Sequence, residues 1–194
     1  MGLDVSTWCD AIIGDYNYAF DPNASLKRFF ATDAENPYVF LVDEAHNLVD
    51  RARGMYSAVL RKEAFLEARH ALGPRSKKIS TRLGACNKTL LQMKRETTEI
   101  QLYEAEELDT LALQVTRLTG ALDEYLQNKE SHTHSPRATG SDYDPEARDL
   151  PLDSQAREVL LTLYFDLKFF SYIYETMDDK YRIYSSFLAN GHFV

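Results

Sequence analysis

Apolar side chains recur at alternating steps of three and four along most of the second half of this chain, and no other feature narrows its possible folds as much. Leu83, Cys86, Leu90, Met93, Thr97 and Ile100 form one series, and Leu108, Leu111, Val115, Leu118, Leu122 and Tyr125 a second. Leu160, Leu163, Leu167, Phe170, Tyr174, Met177, Tyr181 and Tyr184 form the third and longest. At 3.6 residues per turn each series lines one stripe of a helix. Stripes of this kind are buried against one another, which predicts long amphipathic helices packed as an antiparallel bundle. A shorter helix is expected over 62–72, with Phe65, Ala68 and Leu72 on one face and Gly73-Pro74 as its stop, and Asn190-Gly191 reads as the C-cap of the last helix. Only a few residues separate the helices expected at 75–100 and 104–129, so these two read as a helical hairpin.

The first fifty residues follow a different pattern. Asp10-Ala-Ile-Ile-Gly-Asp15 and Tyr38-Val-Phe-Leu-Val42 are short, β-rich apolar runs separated by a turn at 21–25, a short helix at 26–30 and a second loop at 33–37. This reads as a minimal βαβ unit. One crossover helix cannot cover both faces of a parallel sheet, so the unit is expected to be part of a larger sheet whose other strands lie elsewhere. Residues 128–152 are polar and rich in Ser, Pro and Gly, and are expected to form a mobile loop in which His132 and His134 are solvated side chains.

No apolar run reaches the roughly 18 residues of a membrane span, and no secretory leader is recognisable, so no membrane partner is expected. Cys9 and Cys86 stand far apart without metal-ligand spacing, which excludes a disulfide framework or an iron–sulfur cluster built from this chain alone and suggests a reducing, cytoplasmic setting. The formal net charge is −8, yet residues 51–100 hold 12 basic and 4 acidic side chains. Local basic surface is what meets phosphates, so an acidic total leaves nucleic-acid contact open for that segment. Arg75, Lys77, Lys78, Arg82 and Lys88 crowd one helix start, with Arg51 and Arg53 upstream. The same residues read equally well as a solvated helical face, balanced by the acidic stretches at 104–109 and 142–149.

The residues that carry chemistry are in Phe40-Leu-Val-Asp-Glu-Ala-His-Asn-Leu48. An apolar strand delivering Asp43 and Glu44 to its C-terminal edge is the arrangement by which nucleotide hydrolases hold Mg²⁺ and polarise the attacking water. Asp43-Glu-Ala-His46 would arise by chance in roughly one chain in a thousand of this length. Acidic residues capping a helix start are the structural alternative.

Two blocks resemble the superfamily-two DNA helicases of the XPD/DinG type. Residues 43–53 (Asp43-Glu-Ala-His-Asn-Leu-Val-Asp-Arg-Ala-Arg53) are similar to the family's DEAH-type motif II and its continuation. Ala11-Ile-Ile-Gly-Asp-Tyr-Asn-Tyr-Ala-Phe-Asp21 is similar to the segment preceding that motif, and Lys180-Tyr-Arg-Ile-Tyr-Ser-Ser-Phe187, more weakly, to the helix returning to the motor. The resemblance implies a mainly α chain: a helical, Arch-like bundle over about 54–180, attached to a small βαβ remnant of a RecA-like motor domain over 1–53, with a return segment at 181–194. It further implies a bacterial ATP-dependent DNA helicase serving DNA unwinding and repair, with ATP and Mg²⁺ as cofactors of the parent protein, single-stranded DNA as partner, and the remaining motor domains supplying the rest of the site. Asp43 would then coordinate Mg²⁺, Glu44 would activate water, and His46 would couple nucleotide state to the motor. Arg51, Arg53, Arg75, Lys77, Lys78, Arg82 and Lys88 are the candidate phosphate contacts.

No G-x-x-x-x-G-K-[ST] loop occurs in the 194 residues, so this chain alone is expected to bind no nucleotide and to be inactive as an ATPase. An iron–sulfur cluster of the kind some members carry would need cysteines beyond Cys9. Orphan strands would leave open edges, so self-association is expected. A helical protein–protein interaction module without nucleic-acid contact is the competing reading.

Overall fold

In the computed structural model, residues 2–22, 24–30, 38–131 and 152–194 are described. The chain is mainly helical. Helices run over Leu48–Met55 (α1), Lys62–Leu72 (α2), Lys77–Glu96 (α3), Asp109–Ser131 (α4) and Ser154–Thr176 (α5), with strands at Ile100–Tyr103 (β1) and Ile183–Ser186 (β2). Two compact units divide the chain at Ser57/Ala58.

In the larger unit, side chains set the helix ends. Ser76 Oγ accepts a bond from the amide of Ile79 at 3.3 Å and opens α3, and Asp153 Oδ1 accepts one from Ala156 at 2.6 Å and opens α5. Each satisfies an N–H that has no partner inside its helix. Gly73 stops α2 with φ +58°, where a side chain would be strained, and Arg75 Nη1 donates back to the carbonyls of Ala71 (3.3 Å) and Leu72 (3.1 Å).

The four longer helices form an up-and-down ring, α2 packing on α3 and α5, and α4 packing on the same two. Lys78 meets Glu124 while Thr89 meets Gln114, so α3 and α4 run antiparallel; Tyr164 meets Asp123 while Tyr174 meets Asp109, so α4 and α5 do too. The core is made of the predicted stripes: Phe65, Ala68 and Leu72 from α2, Ile79, Leu83, Cys86 and Leu90 from α3, Leu111, Val115, Leu118 and Leu122 from α4, and Leu160, Leu163 and Leu167 from α5. Each large apolar member contributes about 1.5–3 kcal/mol by leaving water. Burial pushes the Cys86 thiol up to about 12, which makes it an inert packing group.

Two tyrosine–aspartate bonds tie α5 to α4. Tyr164 Oη donates to Asp123 Oδ1 at 2.7 Å and Tyr174 Oη to Asp109 Oδ1 at 2.5 Å. The bond to Asp109, assisted by burial and by the charges of Asp109 and Glu106, pushes the Tyr174 phenol up to about 12. Its folded value lies above the unfolded one near 10, so the stability it confers is complete below pH 10 and lost as the pH rises toward 12. Urea midpoints for the native protein and Tyr174→Phe should therefore differ at pH 8, by about 1 kcal/mol, and converge above pH 12.

The apolar stripes run past the helices that they predict. α3 ends at Glu96 rather than Ile100, and α5 at Thr176 rather than Tyr184. Ile100 and Tyr184 belong instead to β1 and β2, which pair antiparallel with Ile100 opposite Ser186 and Tyr103 opposite Ile183. The expected return helix at 180–187 is therefore a strand. Thr97 shows why: its Oγ1 donates to the Met93 carbonyl (2.8 Å) and shares a hydrogen bond with Ser185 Oγ (2.7 Å), while Tyr103 Oη reaches the same Ser185 oxygen at 3.1 Å. This buried hydroxyl cluster terminates α3 and seats the sheet. Asn190-Gly191 is correspondingly a hairpin turn and not a helix cap, with Gly191 at φ +77° and Phe187 bridged to Phe193.

In the smaller unit the two β-rich runs, 10–15 and 38–42, form no strand, which corrects the expected βαβ unit. A ladder needs neighbouring strands, and none of the described residues supplies one. The helical turn Lys27–Phe30 does form. It packs through rings, with Phe30 lying 5.8 Å from Phe40 and 6.1 Å from Tyr38, and Phe20 lying 5.8 Å from Phe40. The loops expected at 33–37 and over most of 128–152, with His132 and His134, lie outside the described residues.

Candidate functional site

Val39 and Leu41 are 87% and 95% exposed, so one face of the apolar run leading to Asp43 is uncovered, while Phe40 on the other face meets the rings of Phe20 and Phe30. The chain then turns sharply. Asp43 Oδ1 accepts from the amide of Glu44 at 2.8 Å, and Glu44 adopts φ 50°, ψ 37°, the one left-handed non-glycine residue among those described. That conformation costs about 1–2 kcal/mol and is held by the Asn47 amide donating to the Glu44 carbonyl at 2.9 Å. The turn presents both carboxylates and His46 to solvent, with His46 Nε2 lying 3.2 Å from Glu44 Oε2 and the two side chains 73% and 66% exposed. A contact so exposed is worth little as stabilisation.

Neither carboxylate makes a side-chain capping bond: Glu44 stands at the N-cap of the 3-10 turn Ala45–Asn47 and Asn47 at that of α1, both without one. Among the described residues no three His, Cys, Asp or Glu side chains converge as a metal site. Asp43 by itself offers Mg²⁺ one carboxylate, which fits that ion only where phosphate oxygens and water complete its shell. In the neighbouring Asn-Tyr block, Tyr16 Oη and Asn17 Oδ1 are buried without a hydrogen-bond partner among the described residues. Native interiors rarely tolerate this.

Most of the predicted phosphate contacts have internal roles. Arg51 lies over the Tyr16 ring at 5.2 Å, and Arg53 pairs with Asp50 at 2.9 Å. Arg75 closes α2 as described. Lys78 Nζ pairs with Glu124 at 2.7 Å, and Arg82 donates to the carbonyl of Arg117. Lys77 and Lys88 remain on an exposed stripe of α3, joined by Arg95. Steps of 11 and 7 residues return to nearly the same side of a helix. Arg95 is not among the predicted residues; extending the same helical arithmetic from Lys77 and Lys88 finds it.

Compared with protein-family models, with characterised proteins and with solved structures, the chain matches none. Among the described residues no helix is long and apolar enough to cross a membrane.

Proposed function

We propose that this chain is part of an ATP-dependent DNA helicase of the XPD/DinG type, in which Asp43, Glu44 and His46 serve the nucleotide motor and the helical unit 58–194 helps to guide single-stranded DNA. The observation that carries this reading is the apolar run whose Val39–Leu41 face is uncovered and which ends in two exposed carboxylates on a left-handed turn. Isolated, such a run has no reason to be apolar on both faces; within a parallel sheet it would. The unpartnered Tyr16 hydroxyl and Asn17 carbonyl oxygen point the same way, since further motor segments would supply their partners.

In this reading the bound Mg²⁺–ATP supplies the reactive phosphoryl group and the charge that holds it. Glu44 accepts the proton of the attacking water, and His46, 3.2 Å away, holds the Glu44 carboxylate in position. Asp43 contributes one metal ligand, and the residues that cradle the phosphates come from elsewhere in the motor.

The test is fluorescence anisotropy of a labelled oligothymidylate titrated with the protein at several salt concentrations. Contact with about three phosphates gives a slope of log K against log salt near −2, at roughly 0.7 per contact. Reversing Lys77 and Lys88 together to Glu should lower affinity roughly tenfold at low salt, because these two lysines are exposed while Lys78 and Arg82 already have partners. An oligonucleotide whose anisotropy stays flat at low ionic strength would end the DNA-guiding assignment.

A further inference from the structure

The strand β1 has one edge paired to β2 and one edge open among the described residues. Ser186 exchanges both of its backbone hydrogen bonds with Val194, at 2.9 and 3.0 Å, and so turns away from Ile100 opposite it. Alternation along an antiparallel pair then assigns the ladder bonds to Gln101 and Tyr103 and leaves the N–H and C=O of Ile100 and Leu102 directed outward. One of these four groups is occupied, the Leu102 carbonyl accepting from Gln101 Nε2 at 3.1 Å. Ile100, Leu102 and Tyr184 also share the outer face of the sheet and are 66%, 61% and 57% exposed. The edge is short, four residues, but β1 carries none of the lysine, proline or bulge that commonly blunts an open edge.

Charge surrounds that edge unevenly. Glu99 and Glu104 flank the strand, both exposed, and Glu96, Glu106 and Glu107 stand close in sequence. The nearby cations are engaged: Lys94 with Glu63 (3.6 Å), Lys180 with Asp178 (3.8 Å), and Arg182 with the carbonyls of Asp179 and Tyr181. Arg95 lies on the solvent stripe of α3 described above.

We propose that the open edge of β1 takes up an extended peptide segment of a partner protein, one with apolar residues at alternate positions and a Lys or Arg at each end. The outward backbone groups of Ile100 and Leu102 add it as a strand, the face of Ile100, Leu102 and Tyr184 receives its apolar side chains, and Glu99 and Glu104, about 17 Å apart at ~3.4 Å per residue, receive its ends. A second copy of this chain fits poorly, because antiparallel self-pairing brings Glu99 of one copy to the end where Glu104 of the other lies. The proposal does not depend on the helicase reading, which concerns other residues.

The test is a titration of the ¹⁵N-labelled full chain with the peptide Lys-Thr-Val-Thr-Val-Lys, followed by amide chemical shifts. The amides of Ile100 and Leu102 should move most, and affinity should fall at least threefold between low and roughly physiological ionic strength. Leu102→Pro removes an outward N–H and leaves the ladder bonds of Gln101 and Tyr103 in place, so it should weaken binding roughly tenfold or more. Glu99→Lys, which disturbs no backbone contact, should weaken it roughly fivefold and covers the case in which the proline variant fails to fold. Equal binding of Glu-Thr-Val-Thr-Val-Glu, shifts confined to other residues, or no shifts at all would each overturn the proposal. So would Ile100 and Leu102 amides that move with protein concentration alone, which would identify a second copy as the occupant.

Discussion

Phe193→Ala should lower the stability of the helical unit by about 3–5 kcal/mol, read as a shift in the urea midpoint followed by circular dichroism. Its ring is fully buried, 5.6 Å from Phe187 in a T-shaped contact, although it lies next to the end of the chain. The backbone around it is equally committed. The Phe193 carbonyl accepts from the amide of Lys62 at 3.0 Å, one of the donors that the first turn of α2 leaves without an internal partner, and its own amide donates to Glu63 Oε2 at 3.2 Å. Burial alone would raise the Glu63 carboxyl, but bonds from its own amide and that of Phe193, with Lys94 and Lys62 nearby, outweigh it and the pKa is lowered. Stability from that carboxylate is therefore present above its unfolded pKa and fades as pH falls through the lower folded value. Phe187→Ala, at a ring 39% exposed, should cost about 1 kcal/mol. A Phe193→Ala midpoint indistinguishable from that of the native protein would mean that the C-terminal residues do not clamp the start of α2.

The second large effect separates two leucines of one helix. Leu118 in α4 is fully buried and Leu113 is 51% exposed, although the two stand fewer than two turns apart. Leu118→Ala leaves a cavity that a close-packed bundle cannot fill and should cost about 3–5 kcal/mol, whereas Leu113→Ala should change stability by less than about 0.5 kcal/mol. Comparable losses at the two positions would show that α4 is rotated from the orientation described.

Helix identity and facing were legible in the sequence because both are local. The spacing of Leu111, Val115, Leu118 and Leu122 specifies a buried stripe without reference to any other residue, and it excludes Leu113. The stops were less legible. Ile100 and Tyr184 fit the helical spacing by coincidence, and nothing nearby in sequence marks them as strand residues. The candidate site divides in the same way. Asp43, Glu44 and His46 could be found from their pattern, but the left-handed backbone of Glu44 could not, and neither could the occupation of Lys78 by Glu124 or of Arg82 by the Arg117 carbonyl.

The sequence by itself determined that four apolar stripes must meet, that Gly73-Pro74 stops the helix at 62–72, and that a carboxylate pair follows an apolar run. Only the tertiary structure decided that Ile100–Tyr103 pairs with Ile183–Ser186, that Thr97 and Ser185 share a buried hydrogen bond, and that Phe193 closes on the start of α2. The physical reason is range: periodicity and capping act over a few residues, whereas a contact between positions more than eighty residues apart forms only once the bundle has brought them together.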